Sequence, residues 1–184
     1  MADYLATSEI LARLSAERDA LVQRLAKIPV ALQNERPAPE RWSIAEVLEH
    51  LVRIETGLTK LFAIKGQAPP GPDVPAAPLE AHSTPELGVR IRDRSRRIEA
   101  PERVRPAGSL SADGALTQLQ AARAGLLSAF ASAHADALDR VTHPHPVFGA
   151  LTLRSWMALT SDHEARHAAQ IGEIAEQLSA ARSR

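Results

Sequence analysis

Apolar residues recur every three or four positions along four long stretches of the chain, a spacing typical of α-helices that bury one face. The stretches run from about Thr7 to Leu32, from Ser43 to about Ile64, from about Ser111 to Leu138 and from Thr152 to about Leu178. We find no internal repeat and no pattern that predicts a strand. Four long helices with extended connections are typical of a four-helix bundle, and 184 residues suit one domain with a sizeable core. The pattern therefore predicts an all-α four-helix bundle in a single domain, residues 1–184.

Prolines and capping residues mark the predicted helix ends. Pro29 should kink or end the first helix. Ser43 begins the second helix, and Glu46, three positions later, completes a capping box. The connection between the second and third helices, residues 66–79, contains five prolines, so we expect a long loop there.

A short arginine-rich segment follows this loop. Thr84 and Pro85 are typical of a helix N-cap and first helical position. Five arginines then occur within eight positions: Arg90, Arg92, Arg94, Arg96 and Arg97. The segment is either a short solvated helix, the simpler interpretation, or an electropositive rim that attracts an anionic substrate.

The link before the last helix contains two His-Pro pairs, which begin at His143 and His145. A histidine that precedes proline is disfavoured in a helix, so we expect residues 142–149 to form a rigid turn. His134, near the end of the third helix, is expected to lie on the surface or to interact with the helix C-terminus.

Two histidines interrupt the apolar face of the last helix. On a helical wheel one narrow stripe contains Trp156, Leu159, His163, His167, Gln170 and Ile174. Residues four apart lie about 5–6 Å from each other on one face, which lets His163 and His167 bind one metal ion at about 2.0–2.1 Å. A buried imidazole without a partner costs about 1–3 kcal/mol, and a metal would satisfy both rings. Such a pair alone is more often packing or chance, however, and two ligands do not make a site.

The second helix offers a third ligand. His50 lies in the middle of its apolar stripe, which also contains Val47, Ile54, Gly57 and Leu61. We therefore predict one divalent ion bound by three histidines from two helices of the bundle. Three histidines with an open position are typical of catalytic sites, and the absence of cysteine favours zinc, nickel or a similar ion. Gln170, on the same stripe, is expected to orient a ring nitrogen.

The letters from His163 to His167 also match H-E-x-x-H, the motif of zinc proteases. A metzincin would need glycine at position 170 and histidine at 173, where the chain has Gln170 and Glu173. The other class of H-E-x-x-H protease takes its third zinc ligand, a glutamate, from a later helix, and here only a short tail to Arg184 follows the motif helix. We therefore reject a protease.

Composition narrows the classes of function. The net charge is zero and the pI is near 7.1, which argues against a dedicated nucleic-acid binder. The chain has no cysteine, so a thiol could take part in chemistry only as a substrate. We find no apolar run of 18 residues and no signal-peptide pattern, so we expect a soluble, cytoplasmic protein that does not bind membranes.

Three sequence blocks together resemble the DinB-like superfamily: Arg41-Trp42-Ser43-Ile44-Ala45-Glu46-Val47-Leu48-Glu49-His50-Leu51, His145-Pro146-Val147-Phe148-Gly149 and His163-Glu164-Ala165-Arg166-His167-Ala168-Ala169-Gln170-Ile171. The resemblance spans nearly the whole chain. It implies a four-helix bundle, often a homodimer, with a divalent metal ion held by His50, His163 and His167. It also marks Arg166 and Gln170 as neighbours of the site. The Pro-rich connection and the arginine segment are less typical of this family.

The resemblance leaves the activity open. Members transfer low-molecular-weight thiols to electrophiles, isomerise small acids with a thiol cofactor, carry a hydrolase label or are known only as stress-linked metal proteins. We expect a metal-dependent thiol transferase that acts on a small molecule, and keep a metal-dependent hydrolase or a non-catalytic metal-binding bundle as alternatives. Glu164, Glu46 and His145 are candidate general bases, and the sequence does not choose among them.

Overall fold

The computed structural model describes residues 5–95 and 98–183, so Arg96 and Arg97 lie outside the described residues. The helices are α1 (Thr7–Ala26), α2 (Val30–Gln33), α3 (Ile44–Lys65), α4 (Pro85–Arg92), α5 (Ala112–Ala131), α6 (Ala135–Arg140) and α7 (Leu153–Arg182). Two strands, β1 (Thr142–His145) and β2 (Gly149–Thr152), precede α7. Two 3₁₀ turns span Leu79–Ala81 and Glu102–Val104.

The predicted four-helix bundle is confirmed, and its long helices are α1, α3, α5 and α7. Helix α3 packs along α5, and α7 contacts both α1 and α3. Apolar side chains fill two core clusters along the bundle, one around Leu21, Leu48 and Ile171 and the other around Phe62 and Met157. Within the described residues, no helix is both long enough and apolar enough to cross a lipid bilayer.

The predicted capping box at the start of α3 is confirmed. The Ser43 hydroxyl accepts a hydrogen bond from the Glu46 N–H at 3.2 Å, and Glu46 Oε2 accepts one from the Ser43 N–H at 2.8 Å. Arg36 also donates to both carboxylate oxygens of Glu46. With both oxygens engaged, Glu46 fixes the helix start and is poorly placed to act as a base.

Two helix boundaries differ from the prediction. The first helix ends at Ala26 rather than near Leu32, and a separate short helix begins after Pro29. The predicted break at Pro29 is thereby confirmed, because proline lacks the N–H that a continuous helix needs. The third helix ends at Ala131, and His134 is the N-cap of α6, with its Nδ1 accepting from the Asp136 N–H at 3.3 Å. His134 is exposed, as one of the two expectations had it; it caps the start of α6 rather than interacting with a helix C-terminus.

The link before α7 is an antiparallel hairpin, which corrects the prediction of a rigid turn without strands. Thr142 pairs with Thr152, and His145 pairs with Gly149. The His145 ring closes the turn, since its Nδ1 accepts from the N–H groups of Val147 and Phe148 at 3.1 and 3.3 Å. Gly149 has a φ of 77°, a conformation that glycine adopts readily.

The arginine segment is only partly solvated, and two of its arginines do not form the electropositive rim that was the alternative. Thr84 caps α4 and Pro85 is its first residue, as predicted. Arg92, however, donates to Asp162 at 2.6 Å and to Glu17 at 2.8 Å, and Arg94 binds both oxygens of Glu173. These two arginines thus attach the segment to the bundle rather than face an anionic ligand.

A buried network of four charged groups joins the long helices. Arg18 of α1 donates to Glu55 of α3 at 2.8 Å and to Glu164 of α7 at 2.5 Å. Arg123 of α5 donates to Glu55 at 2.8 and 3.0 Å and to Glu164 at 2.6 Å. Both carboxylates are about 1% exposed. The two positive and two negative groups balance in charge, as buried ions must.

Glu164→Gln should lower the free energy of unfolding by about 3–5 kcal/mol, because it leaves buried arginines without a full counter-charge. The matched control is Glu9→Gln, which removes a carboxylate from an exposed pair with Arg13 on α1 and should change stability little. Urea denaturation monitored by circular dichroism measures both. Equal stability of the two variants would contradict the structural role given to the network.

Candidate metal centre

Three histidines from two helices converge inside the bundle. His50 comes from α3, and His163 and His167 lie one turn apart on α7. Their ring centroids are 4.5 to 5.3 Å apart, and one ring nitrogen from each lies within 4.8 Å of the others. His50 and His167 are 3% and 7% exposed, whereas His163 is half-buried. The predicted ligand set is therefore brought together, and His163 is its most accessible member.

Hydrogen bonds fix how two of the rings are oriented. His50 Nδ1 lies 2.7 Å from the Val104 carbonyl oxygen, and a carbonyl can only accept, so Nδ1 carries the hydrogen. His167 Nδ1 lies 2.8 Å from Gln170 Oε1. Both rings then present an unprotonated Nε2, and His167 Nε2 lies 3.1 Å from His163 Nε2. The ring nitrogens that are available to a metal ion therefore lie together, within 4.8 Å of one another.

Burial keeps these imidazoles neutral. It lowers the pKa of His50, although the hydrogen bond to Val104 acts in the opposite direction. It lowers the pKa of His163 and His167 well below the usual histidine value, and repulsion from the neighbouring rings lowers it further. Neutral imidazole is the form that binds a metal ion.

The donor set fits a divalent metal ion. Two nitrogens bound tetrahedrally at about 2.1 Å lie about 3.4 Å apart, close to the 3.1 Å between His163 and His167. A nitrogen of the third ring, His50, lies within 4.8 Å of the other two, so a side-chain movement brings it into the same coordination sphere. His163 Nδ1 is buried and has no hydrogen-bond partner among the described residues. Only two of the three rings therefore have the outer partner that metal-bound histidines usually have.

The other predicted site residues take different places. Gln170 contacts His167, as its position on the stripe predicted. Arg166 Nη1 donates to the carbonyl oxygens of Ile91 and Asp93, so it holds the end of α4 against α7. It also contributes to the low pKa of His163 and His167.

The two remaining candidate bases are poorly suited to accept a proton. Glu164 is next to His163 in sequence, but both of its oxygens accept hydrogen bonds from Arg18 and Arg123 in the buried network. His145 uses its Nδ1 lone pair to accept the backbone N–H groups of the hairpin. The hydrogen of its neutral ring is therefore on Nε2, so His145 offers a donor rather than an acceptor.

Sequence reasoning missed two residues beside the cluster. The Val104 carbonyl orients His50, and no side-chain pattern could predict it, because every residue has a carbonyl group. The Trp42 ring lies 5.2 Å from the His50 ring. The sequence indicated Trp42 only through its position in the block from Arg41 to Leu51 that carries the family resemblance.

Comparison with known proteins agrees with this architecture. The model of the DinB superfamily matches residues 13–171. The chain belongs to the DinB superfamily. Membership suggests metal binding, and among the described residues of this DinB chain the histidine cluster could hold an ion.

Two proteins similar to this DinB chain add to the comparison. The Uncharacterized protein YuaE of Bacillus subtilis (strain 168) is 34% identical over 146 residues, which are 79% of this chain and 84% of that relative. The crystal structure of TT2238, a four-helix bundle protein, matches with a TM-score of 0.59 and 24% identity, covering 90% of this chain and 98% of that one. The second likeness supports the fold alone.

We expect His50→Ala to weaken zinc or nickel binding as strongly as His163→Ala, because each removes one of three ligands. Gln170→Ala should have a smaller effect, about 10–100-fold, typical of a lost outer partner. His134→Asn is the control, since it removes an exposed imidazole but keeps a residue that caps helices well. Competition with a chromophoric chelator measures these affinities. If His50→Ala bound metal as tightly as His134→Asn, His50 would not be a ligand.

Proposed function

We propose that the protein binds zinc or nickel through His50, His163 and His167 and transfers a low-molecular-weight thiol to an electrophilic small molecule. The observation that supports this most directly is the convergence of three neutral imidazoles, two of them buried and one half-buried, whose ligand nitrogens lie within 4.8 Å of one another. Three protein ligands would leave at least one coordination position for a substrate.

The chain's own residues favour a reactive site over a closed structural one. Val104 and Gln170 hold two rings in the ligand orientation, while His163 is half-buried and is the most accessible of the three. When bound, a divalent ion would supply Lewis acidity that lowers the pKa of a thiol or a water molecule. In the substitution, the S–H bond and the bond from the electrophilic carbon to its leaving group break, the C–S bond forms, and the leaving group departs with its electron pair while the thiol proton passes to solvent.

The scarcity of bases favours thiol transfer over hydrolysis. A thiol has a pKa near 8.5, so a small lowering of that pKa yields the thiolate near neutral pH. The pKa of water is about 15.7, so its deprotonation depends far more on a base. Glu46 and Glu164 both have their oxygens engaged by arginines, and His145 presents a donor. None of the three is well placed to accept a proton from water.

The zinc- or nickel-loaded protein should conjugate cellular thiols to 1-chloro-2,4-dinitrobenzene, with release of chloride, faster than the metal-free protein. His167→Ala should lose this activity and His134→Asn should keep it. The absorbance of the dinitrophenyl thioether measures the rate.

Two results would overturn the proposal. Metal-dependent cleavage of an ester panel without conjugation would indicate a hydrolase. No metal-dependent reaction at all, with metal bound and exchangeable, would indicate a non-catalytic metal-binding bundle. The homodimer that the resemblance implies stays a prediction, which light scattering in solution can test.

A further inference from the structure

One arginine of the α4 segment differs from its neighbours. Arg92 and Arg94 bind carboxylates of the bundle, but Arg90 has no carboxylate partner among the described residues. It is exposed, and its guanidinium carbon lies 5.2 Å from the centre of the Phe148 ring. A cation held over an aromatic face keeps its hydrogen-bond donors free for a ligand.

Phe148 belongs to a row of three rings on the hairpin and α7. The centroid of His145 lies 4.8 Å from that of Phe148 and 4.7 Å from that of Trp156. The indole N–H of Trp156 donates to the His143 carbonyl oxygen at 3.1 Å, which attaches the hairpin to α7. All three rings are only half-buried, so the row offers an aromatic surface to solvent.

His145 adds a fixed hydrogen-bond donor to this surface. Two backbone N–H groups occupy its Nδ1, so the hydrogen lies on Nε2. That Nε2 has no hydrogen-bond partner among the described residues. Burial lowers the pKa of His145 to about 4, so the ring stays neutral near pH 7.

The surface adjoins the histidine cluster. Trp156 and His163 are seven residues apart, two turns along the same face of α7, or about 10 Å. His145 is near enough to contribute to the lowered pKa of His163. A small molecule that contacts the cluster at one end can therefore reach the hairpin at the other.

We propose that Arg90 and His145 form a subsite for the carboxylate of a small substrate, whose body lies against Phe148 and Trp156 and whose reactive end reaches the histidine cluster. A guanidinium matches the two oxygens of a carboxylate, and the neutral Nε2–H supplies a further donor. One positive charge suits a singly charged acid better than a phosphate dianion. The proposal rests on the proposed function for what happens at the reactive end.

A pair of probes without a thiol tests the subsite itself. In protein labelled with ¹⁵N-histidine, 3-phenylpropionate should bind at least tenfold more tightly than 3-phenyl-1-propanol, consistent with a charge-assisted hydrogen bond. The His145 Nε2 signal should shift with the acid. Arg90→Gln should reduce the preference to less than threefold, while the control Arg13→Gln, another exposed arginine, should leave it intact. Equal binding of acid and alcohol, or a preference that survives Arg90→Gln, would overturn the subsite.

A second pair of probes separates the subsite from the reaction. With zinc-loaded protein, Arg90→Gln should lower kcat/KM about tenfold for 8-mercaptooctanoate, whose extended chain can span the roughly 10 Å between Trp156 and His163, and should leave 8-mercapto-1-octanol, which lacks the carboxylate, unchanged. If both thiols are inert but phenylpropionate binding still depends on Arg90, the proposed function fails and the subsite stands. If both thiols react equally well in the wild type and in Arg90→Gln, the reaction stands and the subsite fails.

Discussion

The arrangement of this protein depends on four buried charges that have to meet. Arg18, Glu55, Arg123 and Glu164 come one each from α1, α3, α5 and α7, and every carboxylate oxygen among them accepts a hydrogen bond from a guanidinium. A slide of one helix along another would leave a charge buried without a partner, which is far more costly than displacing an apolar contact. We infer that this network sets the register of the bundle.

That register also determines where the histidines meet. Glu55 lies five positions after His50 on α3, and Glu164 directly follows His163 on α7. Because Arg18 and Arg123 bind both Glu55 and Glu164, they hold together the parts of α3 and α7 that carry His50 and His163. Glu164 therefore serves the cluster indirectly: it fixes the helix that carries two of the three ligands. The H-E-x-x-H letters that suggest a protease have a structural explanation in this network.

Much of the fold could be predicted from local patterns. The four helices, the capping box at Ser43 and the stripe that joins His163, His167 and Gln170 all depend on residues a few positions apart, which a helical wheel displays directly. The hairpin could not be predicted in this way, because Pro144 lies inside a strand of only four residues and Pro146 directly follows it. Its turn depends on the His145 ring, which binds backbone groups two and three positions later.

The rest of the site depends on contacts that a local pattern does not contain. Arg123 and Glu55 are 68 positions apart, and Val104 and His50 are 54 apart. In the sequence the arginines from position 90 to 97 form one charged run. In the structure Arg92 and Arg94 bind carboxylates, whereas Arg90 lies over the Phe148 ring. Only the folded chain shows which charges are already neutralised.

The central claim is that His50, His163 and His167 bind one metal ion. X-ray absorption spectroscopy on the zinc-loaded protein tests it most directly. The account predicts three imidazole nitrogens at about 2.0–2.1 Å, with the remaining positions occupied by light atoms from solvent. His50→Ala should reduce the imidazole contribution from three to two. A spectrum with one imidazole or none, or one that His50→Ala leaves unchanged, would contradict the claim.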